Sequence, residues 1–336
     1  MSIELKYRFK YQSVVALLAI ASFFFGALGI VYGVAGLIIM PIASAFLAAL
    51  MCVEKRRVTS SLISLTLIIG ELLLSLGDYF TVTSLSSALI AAIIAYHYSN
   101  NKQKSDGVIF ATTLTALAIF ATFALYVIGT TDATSLSEVY EYFLSAFAEF
   151  KKSTIASVIS MSSDAVKSNA NLSAEYLSEM FDAYLNCIVA LVTILAFALV
   201  GVAHKIFSGI VRMYSNTPDS INNWRFLPNA AFAYFYFVVA IISMFATDAS
   251  NALSVSIVNL YLIFMFVFAY IGFVFVTAML TKRGRSRFFS TLLVLILTVA
   301  LSSLAIQILA VIGAFVTINV AKINNNDQND DHLSKR

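Results

Sequence analysis

Long apolar runs separated by short polar turns fill most of this chain. They fall at 13–31, 34–53, 60–77, 81–97, 107–129, 184–203, 229–247, 252–280 and 289–321. Each reaches or approaches the ~20 apolar residues that a helix needs to cross a hydrocarbon core about 30 Å thick. In lipid every backbone N–H and C=O must find its partner inside the chain, so such runs predict α-helices. The first run follows Lys6, Arg8 and Lys10, as the core of a signal peptide would. It is longer than such a core and leads straight into a second apolar run, so the pattern predicts a true span. The last stretch, Phe288 to Ala321, is long for one helix and short for two. The pattern favours a hairpin broken near Ser302 and Ser303, which returns the tail to the cytoplasm; one tilted span leaves the tail outside.

One connection is more than a loop. Residues 131–183 hold eight acidic side chains (Asp132, Glu138, Glu141, Glu149, Asp164, Glu175, Glu179 and Asp182) against three lysines. Leu136, Tyr140, Phe143 and Phe147 recur at helical spacing, as do Tyr176, Met180 and Tyr184. Ser135 followed by Glu138 reads as a capping box, in which each residue's side chain satisfies an N–H near the other. The connection is expected to be an amphipathic helical cap on the outer membrane surface or over the bundle mouth; the sharper alternative is a lid over a ligand. The tail, Asn324 to Arg336, lacks apolar periodicity and predicts disorder. The organisation expected is therefore an N-terminal five-helix membrane bundle over 1–130, an extracytoplasmic helical segment over 131–183, a four- or five-helix bundle over 184–322 and a polar tail over 323–336.

Composition sharpens the class. Of 336 residues, 60% are apolar and 12% charged, with a mean hydropathy of +0.89; soluble domains carry about 25% charged residues. The fold class is all-α: a polytopic helical membrane protein with nine or ten transmembrane helices, and no room for a large soluble catalytic domain. Lysine and arginine collect in cytoplasmic loops, which sets the orientation. With the N-terminus inside, fifteen of the 21 basic residues fall on the cytoplasmic side, in the turns around Lys6, Lys55, Lys102, Lys205 and Lys282. The expected location is the cell membrane. A net charge of +3 is too small to imply a nucleic-acid partner.

Candidate chemistry is sparse. There is no GxxxxGK, HExxH or CxxC, and His97, His204 and His332 stand far apart. No catalytic residue, metal site or cofactor is expected, and the chain is not expected to be an enzyme. His97 and His204 are expected to rest at headgroup level. Glu71 stands out because a carboxylate about 15 Å into its span costs roughly 2.5–3.5 kcal/mol on insertion scales. It must be protonated, paired or turned inward, with Asn259 and Gln307 as hydrogen-bonding partners at mid-depth and Asp78 at the outer end of the same helix. It serves either as a packing hydrogen bond or as a ligand-anchoring or proton-coupled group. Small residues four apart, Ser22 with Gly26 and Gly29 with Gly33, allow close helix approach. They provide intrachain packing, a docking face for a partner membrane subunit, or a mobile Gly-rich gate.

Trp224-Arg225-Phe226-Leu227-Pro228 joins an interfacial aromatic to a proline at a helix start, where the missing N–H costs nothing. This motif, the hairpin carrying Met40-Pro41 with its basic turn Glu54 to Arg57, and the turn Lys282 to Arg287 resemble the YybS-like family of predicted membrane proteins of Gram-positive bacteria. The first five helices of that family look like the substrate-binding S components of energy-coupling-factor transporters. The resemblance implies a substrate-binding or transport-related subunit for a small molecule, with a membrane coupling subunit and an ATPase module as partners. The alternative is a non-transport scaffold that recruits a cytoplasmic or membrane partner.

Overall fold

The computed structural model describes residues 3, 5–6, 10–32, 36–53, 57–74, 81–131, 133–161, 173–216, 226–246 and 251–334. These form eleven α-helices: α1 (Tyr11–Val31), α2 (Gly36–Cys52), α3 (Arg57–Leu74), α4 (Thr81–Ser99), α5 (Lys104–Thr130), α6 (Leu136–Met161), α7 (Ala174–Asn186), α8 (Ile188–Tyr214), α9 (Ala230–Ser243), α10 (Ala252–Lys282) and α11 (Arg287–Ser334). Five are long and apolar enough to cross a membrane: α1, α5, α8, α10 and the Arg287–Ile323 part of α11. The expected count of nine or ten is thus met only in part. α2, α9 and the Ser61–Glu71 part of α3 are shorter apolar helices; the 14 residues of α9 rise only about 21 Å.

The chain divides into two compact units, Met1–Ile188 with Leu195–Trp224, and Val189–Ile194 with Arg225–Arg336. In the first, α1 and α2 approach until their backbones touch, because a methyl on Gly36 would overlap the Gly29 carbonyl. Ser22 Oγ donates to the Ala43 carbonyl at 3.5 Å, and the Ser44 and Ser87 hydroxyls, 3.0 Å apart, join α2 to α4. Tyr98 meets Phe207 edge-on at 5.2 Å, joining α4 to α8. The start of the chain crosses the ends of two helices: Ile3 N–H donates to Cys52 O at 2.8 Å and Lys6 N–H to Tyr214 O at 2.9 Å. These segments therefore share one end of the unit, as their basic residues require if they lie on one side of a membrane.

The 131–183 connection is helical where described. Glu138 N–H donates to Ser135 Oγ at 3.3 Å, and Glu138 Oε2 accepts from Thr134 N–H at 2.6 Å, so the box closes one residue earlier than the Ser135 N–H of the standard form. Phe147 and Phe150 pack on Phe181 and Lys151 pairs with Asp182 at 2.7 Å, tying α6 to α7. The Thr134 N–H, with smaller help from the neighbouring hydroxyls, holds the Glu138 carboxyl below its ordinary 4.5. A depressed folded-state value means the cap is fully present above that ordinary value and is lost as pH falls through the folded one. The hydrogen-exchange protection factors at Leu136 to Tyr140, corrected for the intrinsic rate at each pH, should be high at neutral pH and fall once acidification passes below 4.5. In Glu138→Ala they should be low throughout; protection there equal to that of the native chain at neutral pH would refute the cap.

In the second unit, α9, α10 and α11 share a core of Tyr236, Phe268, Leu309, Ala310 and Ala314. Gly272 and Gly313 mark the closest backbone approach of α10 to α11. Asn259 is spent locally: its Oδ1 accepts from Ala190 N–H at 2.8 Å and its Nδ2 donates to Val255 O at 2.8 Å. The break expected near Ser302 is present, at φ 48° and ψ −125°. Gly272 lies ten residues before Lys282, so a straight antiparallel partner would stand near Leu297. The contacts instead fall at Leu309 and Gly313, about 12 residues or 18 Å further on, and the kink lies between. The tail departs from expectation: α11 runs on to Ser334 rather than dissolving after Lys322. Extending an existing helix adds a hydrogen bond per residue without a new nucleation cost, which offsets the poor propensity of Asn and Asp.

Candidate functional site

The expected intramembrane carboxylate is where the first unit is least like ordinary packing. Glu71 is 2% exposed, and its Oε1 has no hydrogen-bond partner. Leaving such an atom buried and unpaired costs about 1–3 kcal/mol. It lines a cavity together with Phe25, Gly26, Met40, Ser84 and Ser87. The cavity holds about 10 Å³, close to the roughly 10–15 Å³ that one water requires.

Four helices build the site. Phe25, Gly26, Gly29 and Ile30 come from the last turns of α1, Met40 and Ala43 from the first turns of α2, and Ser84 and Ser87 from the first turns of α4. Glu71 stands fourteen residues after Arg57, about 21 Å along α3. The distance exceeds the expected 15 Å only because α3 begins earlier than the apolar run, and it places Glu71 near the far end of the helix. All four contributions therefore come from the same ends of their helices, those joined by the α1–α2 and α3–α4 connections. Gly26 makes room for the acid, since a methyl there would overlap Oε1.

The groups foreseen as partners of Glu71 are not part of the first unit where they are described. Asn259 and Gln307 belong to the second unit; Asn259 is engaged as described, and Gln307 is exposed on α11. Asp78 and Gly33 lie outside the described residues, as do Trp224 and Arg225. Pro228 precedes α9, whose cap is Asn229, with Oδ1 accepting from Ala231 N–H at 3.0 Å. Of the uses weighed for the small residues of α1, the contacts seen are intrachain packing: Ser22 is fully buried against α2, Gly26 lies against Glu71 and Gly29 against Gly36. Small residues favour the nearest backbone able to use the space, and the α1–α2 hairpin supplies one.

Sequence reasoning missed Ser84 and Ser87 as cavity-lining groups, because two serines among several on a helix carry no signal until the helix has a neighbour. His204 is 1% and His97 9% exposed, so both are buried within the protein. The His97 ring packs where a side chain on Gly107 would sit, and His97 Nδ1 lies 2.9 Å from Ile93 O.

No curated protein and no solved structure matches the chain. A family profile does, over residues 13–315, a span that takes in both units and the Glu71 cavity. The chain belongs to the DUF2232 family of predicted membrane proteins.

Proposed function

We propose that this membrane protein is a substrate-binding or transport-related subunit in which Glu71 takes up a proton as its ligand is bound or moved. The buried Oε1 without a partner carries the reading. A carboxyl kept only to fix packing would be hydrogen-bonded, whereas one that must exchange a proton needs an unsatisfied state and a space beside it. The cavity is too small for an organic molecule, so its occupant in this conformation is a proton or one water. A larger ligand requires movement of the Gly-rich end of α1. The likeness of the first five helices to S components of energy-coupling-factor transporters, and with it an ATPase-bearing coupling partner, belongs to the same proposal. The proposed role is binding, not catalysis.

A hydrophobic carbodiimide tests the site. A protonated acid in an apolar setting adds across the C=N bond and rearranges to a stable N-acylurea. In the reconstituted protein Glu71 should be modified, with labelling falling as pH rises, and Glu71→Gln should give no adduct at that peptide. Absence of the Glu71 adduct at every pH, while other carboxyls react, would overturn the proposal. Co-purification from native membranes separates transport from scaffolding: an ATPase partner supports the first, and a stable partner without ATPase activity supports the second.

A further inference from the structure

A polar side chain inside a span must find its partner within protein, because hydrocarbon offers none. The outward-facing hydroxyls of the apolar helices find theirs locally. Thr66, Thr113, Thr193, Ser256 and Thr291 each donate to the carbonyl four residues earlier, at 2.8 to 3.1 Å. Asn259 does the same, its Nδ2 donating to Val255 O. Gln307 stands apart: it is exposed on α11, and its amide makes no hydrogen bond among the described residues. Asn319 is also exposed, but only three residues from Lys322, where the charged end of the helix serves it. No charged residue stands between Arg287 and Lys322, and Gln307 lies fifteen residues before the latter, about 22 Å along the helix. In a helix long enough to cross, that holds the amide within the hydrocarbon. Leu304, Ile308, Val311 and Phe315 are exposed around it, at the three- and four-residue spacing of one helix face.

We propose that this face is the contact between two copies of the chain, closed by a hydrogen-bonded pair of Gln307 side chains. A carboxamide carries both donors and an acceptor, so two of them related by a two-fold axis satisfy each other, each Nε2 donating to the other's Oε1. A second copy is the occupant that this geometry favours. Every copy enters the membrane with the same orientation, set by its basic turns, so its α11 runs parallel and brings Gln307 to the same depth with no adjustment of register. A different partner would have to supply a polar group of its own at that depth. The contact is isologous, and one polar residue within an apolar seam fixes its register. The inference is independent of the role of Glu71.

The test uses the full chain, purified in mild detergent and labelled in two colours. Energy transfer should rise with the protein-to-detergent ratio, beyond what random co-occupancy of micelles gives. Gln307→Leu should weaken association roughly tenfold, as loss of an interhelical amide pair in an apolar medium does. Gln307→Asn, which keeps donor and acceptor, should restore part of it. In a background with Cys52 and Cys187 replaced by alanine, Val311→Cys in native membranes should form a disulfide between copies on oxidation, and adding Gln307→Leu should largely abolish it. A native chain that stays monomeric at every ratio overturns the proposal, as does association equally strong in Gln307→Leu. Val311→Cys crosslinked to another protein, with no crosslinked pair of copies, also overturns it. Should Gln307→Leu fail to fold, the crosslink at Val311 in the otherwise native chain still decides.

Discussion

Gly313→Ala is expected to cost the second unit about 3 kcal/mol, the upper end of what one inserted methyl does to a packed core. A methyl on Gly313 would overlap the Phe268 carbonyl, and one on Gly272 would overlap the Leu309 carbonyl. Both obstacles are backbone atoms of a helix, which cannot rotate aside as a side chain can, so α10 and α11 must separate. Separation then strips contacts from Phe268, Leu309, Ala310 and Ala314, which are all buried at this crossing. Thermal unfolding in detergent should show a clear drop for Gly313→Ala and for Gly272→Ala. Gly201→Ala is the control: nothing lies within 4 Å of the new methyl, and replacing a helical glycine gains roughly 0.5–1 kcal/mol. Equal midpoints for Gly313→Ala and the native chain would show that the two helices do not cross there.

Glu71→Leu is expected to stabilise the first unit while abolishing its activity. The native chain keeps a carboxyl 2% exposed with one oxygen unpaired, and replacing it by an apolar group of similar size removes a penalty of about 1–3 kcal/mol. The unfolding midpoint should therefore rise. Glu71→Gln should leave stability nearer the native value, because an amide still buries polar atoms in the same place, and should lose proton uptake. A residue kept for packing gives the opposite sign: if Glu71→Leu lowers the midpoint, with a loss of about 1 kcal/mol or more in stability, the carboxyl is holding helices together and the binding role fails. Gly26→Ala offers a second route, since it displaces the carboxyl from its seat without altering the titratable group. It should shift the pH at which carbodiimide labelling is lost.

Several features were legible without any tertiary contact. The Ser135 and Glu138 cap is local, its partners three residues apart, and it forms with a shift of one position. The interruption at Ser302 is likewise visible as a polar pair inside an over-long apolar run. Gly26 was singled out for close approach, with intrachain packing, a docking face or a mobile gate as its alternative uses, and its neighbour proves to be Glu71. That the neighbour could not be named has a physical origin. Small residues announce close approach without naming the partner, and here the partner is a carboxyl on α3 rather than another protein.

Sequence alone determined what each segment is: apolar helices joined by basic turns, an acidic helical connection, and one carboxylate too costly to face lipid. Those properties depend on residues within a turn or two of each other and on transfer from water to lipid, which composition measures directly. Only the tertiary structure decided which helices touch. It set Gly26 against Glu71 and Gly313 against Phe268. In a soluble protein an apolar stripe marks the face that turns inward. In a bilayer the outside of a helix is as apolar as its inside, so no stripe distinguishes protein from lipid, and neighbours are chosen by shape and by the few polar atoms that must be buried.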